Sequence, residues 1–171
     1  MNSLARTLRA LTRGKAFRPA RQLLPLDTWF ASGDPPFRFG LPFPWEEVAP
    51  SELEEATLLG VWAPRTIGMC PSISFSFQPD GTDVTAADLR VLINGLTQSF
   101  GGQCVGVRSV LVDQARAVIP VILGQDGLVV QLLLVNYLGG RVEGLLQLPG
   151  HCSSAYLPHF ETLLATWTFR A

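Results

Sequence analysis

Between residues 104 and 148 the chain carries four apolar runs separated by connections too short for anything but hairpins. The runs span 104–112, 117–123, 128–137 and 141–148, with turns at Asp113-Gln114, Gln125-Asp126-Gly127 and Gly139-Gly140. A parallel return needs a crossover of about a dozen residues or more, so these strands must form an antiparallel meander. The Gly-Gly pair between two strand patterns is itself a strong hairpin signal. Pro120 falls inside the second run and predicts that this strand lies at an edge or carries a bulge.

Before the meander, 56–63 and 72–77 read as two more strands. In the latter, Ile73, Phe75 and Phe77 alternate with serines. Pro79-Asp80-Gly81 turns the chain. Thr85 and Asp88 have the spacing of a variant capping box. Leu89, Ile93, Leu96 and Phe100 then share one face of a helix that Gly101-Gly102 should stop with a left-handed cap. A second helix runs from about 154 to 167, with Phe160, Leu163, Leu164 and Trp167 on its apolar face. Pro158 fits it only in the first turn. Each helix must bury its apolar stripe against the sheet. The expected fold is α+β: an antiparallel sheet of about six strands with two main packed helices.

A chain of 171 residues suits one domain, and folding at that size buries roughly 70% of the unfolded surface. We divide it into a basic amphipathic tail, residues 1–22, and a single domain over 23–171. The apolar fraction is 47%, yet no apolar run approaches the ~20 residues of a membrane helix, so no membrane span is expected. The tail holds Arg6, Arg9, Arg13, Lys15, Arg18 and Arg21 without an acid. That leaves seven arginines against fourteen acids in the body. An acidic body lacks the basic face that nucleic acid requires.

Leu4, Leu8 and Leu11 recur at helical spacing in the tail, which admits three readings. It is an amphipathic segment lying on the acidic body or in solvent, with Arg6, Arg9, Arg13 and Arg18 as its contacts; an organellar transit peptide; or a membrane-surface helix. The seven-residue apolar stretch of a secretory signal is absent. A cytoplasmic location is expected, with organellar import as the alternative.

From 23 to 50 prolines and aromatics dominate, and six prolines forbid a long helix. Phe37, Phe39 and Leu41 alternate as a short strand does. This segment either closes one end of the core or offers a recognition surface for another protein. The candidate contacts are Trp29, Phe37 and Trp45, with the acids Glu46, Glu47, Glu52, Glu54 and Glu55.

Chemistry is harder to find. Cys70, Cys104 and Cys152 stand 34 and 48 residues apart, with no CxxC pair. They read as free thiols in a reducing compartment, or as one disulfide and a spare thiol. Cys152 beside His151, with His159 further on, invites a cysteine nucleophile. Adjacent residues on extended chain point apart, however, so the base would have to be His159. The spacing suits no zinc site, and no metal or cofactor is expected. The glycines at 101, 102 and 106 follow a helix and precede a strand, the reverse of a phosphate cradle.

The segment Phe37-Arg38-Phe39-Gly40-Leu41-Pro42-Phe43-Pro44-Trp45-Glu46, the capped helix, the meander and the final stretch Phe160-Glu161-Thr162-Leu163-Leu164-Ala165-Thr166-Trp167-Thr168-Phe169 together resemble the Mog1/PsbP-like superfamily. That superfamily includes bacterial domains of unknown function found near secretion genes. The resemblance covers about residues 35–170. The chain departs from the pattern in its extra prolines around Trp45 and in lacking an export signal. The resemblance implies an α/β/α sandwich and an accessory, protein-binding role at a GTPase, a photosystem or a secretion or envelope system, according to branch. The expected function is therefore non-catalytic protein binding. A small hydrolase or transferase using Cys152, or a carrier for a small apolar ligand between helix and sheet, are the alternatives.

Overall fold

A computed structural model describes residues 24–42, 45–48, 58–64, 71–79, 84–137 and 139–169. The readings placed on the tail, with its contacts Arg6, Arg9, Arg13 and Arg18, and on Glu52, Glu54, Glu55 and Cys70 lie outside them. The elements run β1 (Thr28–Gly33), β2 (Pro36–Leu41), β3 (Trp45–Glu47), β4 (Leu58–Pro64), β5 (Ser72–Gln78), α1 (Ala86–Ser99), β6 (Gln103–Val112), β7 (Ala115–Leu123), β8 (Val129–Tyr137), β9 (Gly140–Leu148) and α2 (Ser153–Thr166). β1 and β2 pair as a separate hairpin. Among the described residues the main sheet has seven strands in the order β3-β4-β5-β9-β8-β7-β6, all paired antiparallel. β1 and the three-residue β3 are the strands the sequence did not announce.

Alternation along the strands sorts side chains to two faces. One face, carrying Ile73, Phe75, Val121, Leu133, Val142 and Leu146, forms the main core with α2 and the β1–β2 hairpin. There α2 contributes Leu157, Phe160, Leu163 and Leu164, and β2 contributes Phe37, Phe39 and Leu41. The opposite positions Ile122, Val130, Leu132 and Leu134 are also buried, on the side where α1 packs against β6 and β7. None of the 14 residues of α1 is fully buried. The result is an α/β/α sandwich whose two sides are unequally covered.

Aromatic rings carpet the thicker side. The Phe75 ring lies so close over Gly144 that a Cβ there would stand 2.5 Å from it, and Trp62 lies likewise over Gly60 at 2.6 Å. Glycine at these two points is a packing requirement, since any side chain would collide with the ring. Phe37, Phe39, Trp62, Phe75 and Trp167 then meet ring to ring at 4.6–6.2 Å.

The local signals resolve as physical features. Thr85 and Asp88 form a reciprocal capping box: the Asp88 N–H donates to Thr85 Oγ1 at 3.2 Å and the Thr85 N–H to Asp88 Oδ2 at 3.0 Å. The Thr85 hydroxyl, donating to Asp88 Oδ2 at 2.7 Å, and then the Thr85 N–H hold the Asp88 carboxyl below its ordinary pKa. Gly101, with φ of 57°, closes α1 while the Gly102 N–H reaches back to Thr97 O at 2.9 Å, the paired arrangement of a Schellman cap.

Two expectations need correction. β7 is interior, so Pro120 does not mark an edge. Instead the β7–β8 ladder keeps its register but lacks pairs at Ile119 and Pro120, where proline has no N–H to give. Pro158 lies beyond the first turn of α2. It removes the bond to the Ser154 carbonyl, and the burial of Leu157, Phe160, Leu163 and Leu164 holds the helix in spite of that.

The β6–β7 turn carries a cost of its own. Asp113 and Gln114 both have positive φ, 44° and 69°, as a hairpin turn matching the strand twist demands. Asp113 is engaged elsewhere, its Oδ2 accepting the Phe169 N–H at 2.8 Å. Gln114 sits in the left-handed region with no glycine to ease it. Gln114→Gly is expected to stabilise the fold by about 0.5–1 kcal/mol, measured as a higher denaturant midpoint at unchanged m value.

Candidate functional site

The sequence gathers its candidates around the Pro/aromatic segment, and the structure disperses them. Trp29 stands on the outer face of the hairpin, 52% exposed, with the Arg38 guanidinium 5.3 Å from its ring centre. Glu46 and Glu47 are exposed on β3. Phe37 and Trp45 are drawn into the interior, so neither can serve as a docking contact. The alternation that makes β2 a strand turns Phe37 inward together with Phe39. Trp45 is pulled under by α2, where its indole N–H donates to His159 Nδ1 at 3.0 Å and its ring meets Tyr156 edge-on.

That bond also bears on the cysteine reading. His159 is the histidine that would have to activate Cys152, and its Nδ1 lone pair is taken by Trp45. Burial lowers the pKa of its ring, which favours the neutral form. Cys152 stands at the N-terminal end of α2 and directs its thiol to the Pro149 carbonyl at 3.3 Å. Among the described residues no group of three or more His, Cys, Asp or Glu side chains could hold a metal ion. Nor is any described helix long and apolar enough to cross a membrane.

Two features were not anticipated. The first is an ion pair joining β6 to α2. Arg108, 8% exposed, meets Glu161 with both guanidinium nitrogens, at 2.8 and 3.2 Å. The second is the outer edge of β6. This ten-residue strand ends the sheet, and on its face away from the core Val107 is 47% and Leu111 72% exposed, with exposed Ser109 between them. Arg116, across the ladder from Leu111, is exposed as well and donates to Ser109 Oγ at 3.2 Å. The two sets of side chains alternate along 107–112, but the sequence cannot say which face is covered. Among the described residues no strand pairs with the outer side of β6, so its backbone and its two apolar side chains form the arrangement that accepts a further strand.

No family model and no curated protein matches the chain. Solved structures do. The solution structure of cyanobacterial PsbP (CyanoP) from Synechocystis sp. PCC 6803 aligns with a TM-score of 0.61 at 12% identity, covering 90% of this chain and 98% of that one. The crystal structure of PA94 from Pseudomonas aeruginosa, a protein of unknown function described as a candidate regulator, aligns with a TM-score of 0.50 at 12% identity. It covers 78% of this chain and 90% of the other. At such identities the likeness speaks to architecture, and with the order of strands and helices above it establishes that this chain has a PsbP-like fold.

Proposed function

We propose that the chain is a non-catalytic, protein-binding accessory domain that holds its partner along the outer edge of β6. The observation that carries this reading is the exposure of Val107 and Leu111 on a ten-residue strand at the end of the sheet. Natural edges are usually blunted by lysine, proline or a covering element. The exposed face of β6 has no charge of its own from Val107 to Leu111. Its bulge lies at the other end, between Cys104 and Gly106. A partner strand would gain main-chain bonds from the edge and selectivity from the two apolar positions, with Arg116 favouring a carboxylate beside them.

The double variant Val107→Lys/Leu111→Lys tests this. The full chain and the variant, immobilised at equal density, would be exposed to extract of the organism that makes the protein. A partner that binds along β6 should be recovered about tenfold less by the variant, while the thermal midpoints stay together because both side chains face solvent. Equal recovery of the same partner by both baits would remove β6 from the reading.

A further inference from the structure

We propose that the Trp45–His159 hydrogen bond is a latch that holds β3 on the sheet at neutral pH and releases it in acid. β3 has only three residues and sits at the end of the sheet opposite β6. Its ladder to β4 pairs Trp45 with Pro64, Glu46 with Ala63 and Glu47 with Trp62. The Val48 N–H extends it to Val61 O at 2.8 Å. So short a strand needs an anchor, and the buried Trp45 side chain provides one by reaching α2. There its N–H meets His159 Nδ1 at 3.0 Å, with the Tyr156 and His159 rings 5.0 Å apart.

The bond exists in one protonation state. Nδ1 accepts only when the imidazole is neutral with its proton on Nε2. A second proton must go to Nδ1 itself, where N–H then confronts N–H and the ring charge sits in a half-buried site. The ionisable groups on the two elements around the ring are Glu46 and Glu47 on β3, and Tyr156 and the Arg108-bound Glu161 on α2. Burial alone is what lowers the pKa of His159. A depressed histidine favours the latched state fully above its unfolded value of about 6.5. The contribution is lost as pH falls through the folded value. Release would uncover the outer edge of β4, with Leu58, Leu59, Val61 and Trp62, so that acid opens a second strand edge. This proposal stands apart from the one concerning β6.

Amide hydrogen exchange on the full chain, expressed as protection factors corrected for intrinsic rates, reads the latch directly. Between pH 7.5 and 5.0 the protection of Val48 is expected to fall about fivefold to tenfold, the equilibrium worth of one lost hydrogen bond. The β6–β7 amides should keep theirs. In His159→Asn the side-chain carbonyl oxygen stands where Nδ1 stood and accepts the indole N–H at either pH, and the fall should vanish. Trp45→Phe keeps a buried ring without the N–H, so Val48 should be weakly protected at both pH values. An unchanged Val48 in the natural chain, or the same fall in His159→Asn or Trp45→Phe, would overturn the proposal.

Discussion

Glu161→Ala is expected to cost the folded state about 3 kcal/mol, because it removes the carboxylate that meets the nearly dry Arg108 guanidinium through two charge-assisted bonds. The two side chains come from β6 and α2, 53 residues apart, and meet through two bonds of 2.8 and 3.2 Å. The loss should appear as a lower urea midpoint with little change in slope. A second variant separates the value of the pair from the penalty of breaking it. Arg108→Leu/Glu161→Leu removes both charges and fills the space with apolar side chains, and it should recover most or all of the stability. If the single variant costs less than ~1 kcal/mol, water reaches Arg108 and the pair belongs with ordinary surface pairs.

Trp167→Ala should be of similar size, about 3–5 kcal/mol. Trp167 follows α2 directly and stacks on Phe37 at 4.6 Å with the planes 11° apart, while meeting Phe75 edge-on at 5.0 Å. Its removal would leave a hole bounded by four rings, Phe37, Phe39, Phe75 and Phe169, that cannot all close on it. For a chain of this length such a loss lowers the thermal midpoint on the order of 10 °C. Trp167→Phe should cost far less. It keeps a ring in the stack and deletes an indole N–H that is buried without an acceptor among the described residues. A loss in Trp167→Ala no larger than that in Trp167→Phe would mean that the cavity collapses freely.

Local chemistry was legible in the sequence wherever one residue type answers one backbone need. The Thr85–Asp88 box, the Gly101 stop and the glycine-turned meander all follow from such needs, and the PsbP-like order of elements follows from them. Pro120 misled because its rule concerns a missing donor. An interior strand can satisfy that rule by dropping two pairs rather than by moving to an edge. Phe37 and Trp45 misled for another reason. Composition shows that an aromatic is present, but its exposure depends on which element arrives to cover it, here α2 more than a hundred residues later. The same limit hid the candidate site. Val107 and Leu111 read as core residues like Val110 and Val112, and only the strand order leaves one pair outside. Arg108 within an apolar run did hint at a buried partner, though nothing nearby named Glu161.

The stretch from Trp167 to Phe169 fastens three distant pieces at once. Thr168 exchanges two backbone bonds with Arg38, at 2.8 and 2.9 Å. Phe169 stacks on Tyr137, whose hydroxyl donates to the Phe169 carbonyl, and gives its own N–H to Asp113. A chain made from its N-terminus therefore completes the β1–β2 hairpin early and can bring Trp62 and Phe75 against Phe37 and Phe39, but the Trp167 stack and the Thr168 bonds come only when some 130 residues have followed. On the ribosome those rings must wait for their α2-side cover, Trp167, through the synthesis of the whole meander. Closure is then a late, long-range event of the kind that slows folding and favours the attention of chaperones.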